Sequence, residues 1–190
     1  LIKQPKIAGA SMEQLLENLK STERWTVDMS KREIMERPEN EILEKVKDWA
    51  THLPEGNDKI KLHALWIYEG LGVCDDNLLM SLLESKDSKV KAAAYRVMWH
   101  FSDVFGRVME FAEAGVRDSH ARVRLEALHV LRRLKTTRAA EVAIKVLDKE
   151  MDETLDWTLK LTLRELEAEW AGQTTFNNNI THINYAVKAT

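Results

Sequence analysis

This sequence is short of the residues that break or staple a chain. Of 190 residues only 7 are Gly and 3 are Pro, and Pro5, Pro38 and Pro54 all fall in the first 54 positions. An all-β sandwich or barrel needs turn residues about every ten positions; with that supply missing, long helices are what the chain can build. The single cysteine, Cys74, excludes a disulfide framework within the chain and any multi-cysteine zinc site. No run of about 18 apolar residues occurs, so nothing reads as a membrane span. The formal net charge of -3 lacks the overall basic signature of a nucleic-acid binder. What is plentiful is hydrophobic residues, 44%, and charged residues, 31%, the balance of a folded chain rather than a disordered one.

The chain opens Leu1-Ile2-Lys3-Gln4-Pro5 without an initiator Met or a signal-peptide pattern, and reads as a processed chain or an excised domain. Residues 1–10 form a lead-in. Residues 172–190 change character: Gln173-Thr174-Thr175-Phe176-Asn177-Asn178-Asn179 is polar and uncharged. This stretch reads as a tail or linker, with a short strand at Ile180 to Val187 and a glycosylation sequon at Asn179-Ile180-Thr181.

Between them, residues 11–171 carry a repeat. Ile60-Lys61-Leu62-His63-Ala64 returns as Val90-Lys91-Ala92-Ala93-Ala94 and as Val123-Arg124-Leu125-Glu126-Ala127, with a degenerate copy at Leu155-Asp156-Trp157-Thr158-Leu159. Four residues beyond the Ala position stand Tyr68, Met98, Leu131 and Leu163. Positions i, i+4 and i+8 share one helix face, so each copy reads as a buried stripe with a small residue for close approach and a cation at its edge. Short oxygen side chains mark the helix starts: Asp87-Ser88 and Asp118-Ser119 before two stripes, Asp75-Asp76-Asn77, Asp103 and Thr136-Thr137 before the intervening helices. Ser11 with Gln14 forms a capping box, and Pro38 opens a helix over 39–52. The spacing predicts five antiparallel helix pairs with second helices near 24–36, 58–71, 88–102, 119–135 and 152–170. A helix pair recurring every 30 or so residues is the signature of an α-solenoid.

Asp118-Ser119-His120-Ala121-Arg122-Val123-Arg124, followed by Ala127 and Leu131, resembles a HEAT repeat. That resemblance implies an all-α, right-handed α-α superhelix of about five HEAT-like pairs. The strings Lys6-Ile7-Ala8-Gly9-Ala10-Ser11, Ala64-Leu65-Trp66, Glu69-Gly70-Leu71-Gly72-Val73 and Leu155-Asp156-Trp157-Thr158-Leu159-Lys160 extend it. Over residues 5–170 they resemble the HEAT segment of large exported bacterial proteins described as membrane-bound dehydrogenases or haem-binding proteins. Those proteins join a sorbosone-dehydrogenase-like β-propeller, a helical segment of this kind and a small c-type cytochrome. The resemblance implies a periplasmic or exported location, with haem elsewhere in the parent protein: this chain has no Cys-x-x-Cys-His, and no cofactor is expected in it.

Chemistry-bearing residues are sparse. His52, His63, His100, His120, His129 and His182 include no His-x-x-x-His and no His-Glu dipeptide, so they read as surface or satisfied core side chains rather than ligands. Cys74 is followed by Asp75 and Asp76, whose charges raise a thiol pKa and disfavour a nucleophilic role. Gly70-x-Gly72 reads as a helix stop, not a phosphate loop. Six tryptophans serve packing between repeats, or one such as Trp99 faces a ligand groove.

Charge is the informative surface feature. Residues 88–135 hold ten Lys and Arg against five acids, whereas residues 11–87 hold ten against seventeen. One reading is solvated faces and ladders between repeats. The other is a basic band on the inner surface, with Arg96, Arg124, Arg132 and Arg133 as candidate partner-binding residues. The inner-surface placement comes from the resemblance, since the second helix of each HEAT pair lines the inner curve. The expected function is a non-catalytic interaction or scaffold module for a protein partner or a neighbouring domain of the same polypeptide. The rival is a repeat-fold enzyme, resembling the HEAT-like DNA glycosylases, or a segment contributing to a dehydrogenase active site. The acidic N-terminal half argues against nucleic acid.

Overall fold

The computed structural model describes residues 4–190; Leu1 to Lys3, the start of the lead-in, lie outside the described residues. The chain is all-helical, 70% helix with no strand among the described residues, about twice the helix share of an ordinary globular domain. No described helix is long and apolar enough to cross a membrane. The chain divides into two compact units, Leu1–Leu82 and Leu83–Thr190.

The first unit holds α1 (Met12–Asn18), α2 (Arg24–Met35), α3 (Glu39–His52), α4 (Asp58–Gly70) and most of α5 (Asp76–Leu83). The Ser11–Gln14 capping box forms in both directions and starts α1. Pro38 stands at the N-cap of α3. α4 ends in a Schellman turn: Gly72 adopts φ +71°, its N–H donates to the Glu69 carbonyl, and the Val73 N–H donates to the Tyr68 carbonyl. α1 packs on α2 and α3, and α4 on α2 and α3. Leu15, Leu16, Leu19, Ile34, Ile42, Val46 and Ile67 form the shared core.

The second unit holds α6 (Ser88–His100), α7 (Val108–Gly115), α8 (Ala121–Leu134), α9 (Thr137–Ala143) running into a 3₁₀ turn (Ile144–Asp148), α10 (Glu153–Glu165), α11 (Glu167–Trp170), a second 3₁₀ turn (Phe176–Asn178) and α12 (Ile180–Ala189). Asp87, Thr136 and Asp152 cap α6, α9 and α10 through their side-chain oxygens. α8 starts differently from expectation. Asp118 accepts from the His120 N–H, and it is the His120 ring nitrogen that caps, accepting from the Arg122 N–H. Two layers result: α6, α8 and α10 side by side, with α7 and α9 packed against α8. The repeat alanines Ala94 and Ala127 are fully buried. Ala127 lies where α8 meets α7, so close that a Cβ added to Gly115 would fall 2.7 Å from the Ala127 methyl and 2.6 Å from the Tyr95 ring.

The strand expected at Ile180 to Val187 is a helix. Asn179 caps it by accepting from the His182 N–H. The buried residues are His182, Ala186 and Ala189, a three-to-four-residue period, while Ile180 and Val187 face solvent. α12 packs on α10 and the 3₁₀ turn, tied by Tyr185 donating to Asp156 at 2.6 Å and Arg164 donating to the Ala189 carbonyl at 3.1 Å.

Candidate functional site

The layer α6–α8–α10 is built by charge as well as by apolar packing. Arg96 on α6 donates to Glu126 on α8 at 2.9 Å, and Arg133 on α8 donates back to Asp103, just past α6, at 3.1 Å. Both pairs are separated by 30 positions. Lys91 reaches Asp118 at 2.8 Å, and Arg132 and Lys135 both approach Glu165 at 3.7 Å. An offset of about one repeat, held at both ends of the helices, means that these neighbours run parallel and in register.

The four sequence-predicted arginines divide. Arg96 and Arg133 sit on the outward face of the layer, Arg133 stacked over Trp99 at 4.8 Å as a cation–π contact. Arg132 lies toward the C-terminal end of α8, about a quarter exposed. Arg124 is not part of the face. It is buried, 3% exposed, with its guanidinium donating to the carbonyls of Asp118, Ser119 and Glu150. The spacing places a cation at the edge of the stripe, but hydrogen bonds to these three backbone carbonyls hold this one inside. It ties the start of α8 to the turn before α10 and offers nothing to a partner.

Glu126, absent from the sequence candidates, is the centre of the face. It is buried beneath the cations that surround it: Arg96 and Arg122 both meet its Oε1, at 2.9 and 2.6 Å, and His129 approaches Oε2 at 3.4 Å. Burial pushes its carboxyl up, yet His129 and the two arginines outweigh burial and hold it at about 2. Glu113, on the opposite layer, has a similar setting among Lys145, Arg138 and Arg117; the Lys145 hydrogen bond leads in holding it at about 2 against burial. The Arg122–Glu126 pair was legible as an i, i+4 spacing; Arg96 joins it through the repeat offset.

The remaining candidates behave as isolated groups. Burial, then the Asp76 hydrogen bond, pushes the Cys74 thiol up to about 12, the direction its acidic neighbours suggest. His63 is driven down to about 4 by burial and Lys31, with its ring against Trp66. Among the described residues no group of three or more His, Cys, Asp or Glu is arranged to hold a metal. Trp25 and Trp157 are exposed, 65% and 63%, whereas Trp170 is buried and donates to the Leu163 carbonyl. No protein-family model matches this sequence, and no curated protein proves similar to it.

Proposed function

We propose that the chain is a non-catalytic interaction module, a right-handed α-solenoid of about five HEAT-like helix pairs. It serves in a larger exported, dehydrogenase-like protein whose haem and redox chemistry belong to other domains. The observation that carries this reading is the registered layer of α6, α8 and α10. Parallel helices one repeat apart, joined by ion pairs at a constant offset, are what stacked repeats produce, and such stacks offer extended surfaces that bind by shape and charge. On this reading Arg96, Arg132 and Arg133 face a protein partner or a neighbouring domain of the same polypeptide that carries acids, while Arg124 serves the stack. Acids interleaved on the same face, Asp103 and Glu165, suit a protein better than a continuous phosphate backbone.

Isothermal titration of the chain against the domains encoded beside it tests the proposal. A saturable signal that weakens with salt is expected. The Arg132→Glu/Arg133→Glu variant, folded by circular dichroism, should bind about tenfold or more weakly. A folded variant that binds as tightly as the parent, or substrate turnover by the isolated chain, overturns the reading.

A further inference from the structure

Arg96 and Arg122 approach the same oxygen of one carboxylate from two different helices. Their Nη2 atoms lie 2.9 and 2.6 Å from Glu126 Oε1, so the two guanidinium groups are no more than about 6 Å apart. Two like charges at this range repel, and the buried carboxylate between them is what makes the arrangement tolerable. It balances only one of the two. Both side chains are more than half exposed, 63% and 51%, while Glu126 is 4% exposed. Each guanidinium has five N–H donors, and the contact with Glu126 leaves several of them turned to solvent. The surface therefore holds a fixed pair of forks with one unbalanced positive charge, prepared before any ligand arrives.

The surroundings suit a peptide more than a free ion. The nearest large, partly exposed apolar side chain on the helix of Arg96 is Trp99, three residues beyond it. One turn beyond Arg96 on α6, Trp99 carries Arg133 on its ring. A carboxylate seated on the arginines thus has an aromatic surface one helix turn away, at Trp99. Asp103, at the far end of the same face, opposes a ligand that is negative along its whole length.

We infer that Arg96 and Arg122, held together by Glu126, form a receptor for a single Asp or Glu side chain of an extended protein segment, with an apolar neighbour of that residue against Trp99. Glu126 acts as a positioning residue. The inference rests on the interaction-module reading and narrows it to one ligand group and two ligating residues, one of which, Arg122, lies in the basic band but was not among the four candidates named from the sequence. Bidentate guanidinium–carboxylate pairing is directional, so lysine at either position is a poor substitute.

The test uses fluorescence anisotropy with the full chain and a labelled peptide of alternating Glu and Leu, its Gln-for-Glu twin, and a labelled DNA duplex. The Glu peptide should bind and the twin should bind at least about tenfold more weakly. Arg96→Gln, Arg122→Gln and the charge-preserving Arg96→Lys should each weaken the Glu peptide by a similar factor with an unchanged circular dichroism spectrum. Arg117→Gln, beside Glu113 on the other layer, should leave binding as it is. Equal binding of peptide and twin, or an equal loss from Arg117→Gln, overturns the receptor. If Arg132→Glu/Arg133→Glu abolishes binding while the Arg96 and Arg122 variants do not, the receptor falls and the interaction module stands. Binding of the duplex but not of either peptide removes both.

Discussion

A single methyl group decides how closely α7 and α8 approach. Gly115 and Ala127 meet beneath the Tyr95 ring with no room for another carbon, and the Tyr95 hydroxyl is fixed by donating to the Phe111 carbonyl at 2.6 Å. Ala127→Leu should therefore overpack the contact and cost about 1–3 kcal/mol, read as a lower urea midpoint; an unchanged midpoint would contradict the placement. Glu126 makes a second prediction at this scale. Its folded-state pKa of about 2 lies below the ordinary 4.5, so the ionised form stabilises the fold. That contribution is complete above about pH 4.5 and is lost as pH falls toward 2. It amounts to about 1–3 kcal/mol once solvent screening is allowed for. Urea midpoints measured at about pH 5 and about pH 2.5 should differ, and Glu126→Gln should reduce the difference without abolishing it, because Glu113 titrates in the same range. Ala94 and Ala127 were legible in the sequence because burial follows helical spacing. Arg124 was misjudged because its partners are backbone carbonyls, which carry no sequence signal. Arg96 and Glu126 are partners across 30 positions, legible only to a reader who takes the repeat as a distance.

Among the elements, the second helices of the repeat lie close to where spacing puts them. α2, α4 and α6 start at the expected residue, and α8 and α10 within two residues of it. At α6 and α10 a capping oxygen and a periodic stripe act in the same direction, whereas α2 and α4 start without a side-chain cap and rest on the stripe alone. The last element differs from the expected strand because Ile183, Tyr185 and Val187 alternate in the sequence, while His182 and the small residues Ala186 and Ala189 carry the burial. α12 is anchored by Phe176, whose ring lies 5.4 Å from Trp170 and whose backbone is left-handed at φ +46°. A side chain there accepts a backbone cost of about 1–2 kcal/mol, offset by burial of the ring. Phe176→Ala keeps the cost and loses the ring. The expected outcome is destabilisation by about 3 kcal/mol, together with faster proteolytic trimming after Gly172. Equal resistance to trimming would show that α12 is held by Tyr185 and Arg164 alone.

At the scale of the molecule, composition indicated an all-helical chain, and the scarcity of Gly and Pro was sufficient reason for it. The division at Leu82 was not legible. The sequence pattern stands on both sides of it, at Ile60 to Ala64 and again at Val90 to Ala94, so the pattern itself marks no break there. The side-chain hydrogen bonds that tie one segment to a later one bridge 24 to 34 positions in several places along the chain. Such spans have a kinetic meaning. Closing a loop of that size costs little more than closing a shorter one, because the entropic penalty grows only with the logarithm of length. Closing these spans does not have to wait for the two ends of the chain to find each other. Refolding should accordingly be fast for a chain of this length, on the order of milliseconds, in the manner of other low-contact-order helical proteins. Stopped-flow fluorescence checks this, and refolding over seconds would contradict it. A nascent chain leaving the ribosome can close each of these short spans while later residues are still being made, so an early stop in synthesis leaves the spans already closed in place.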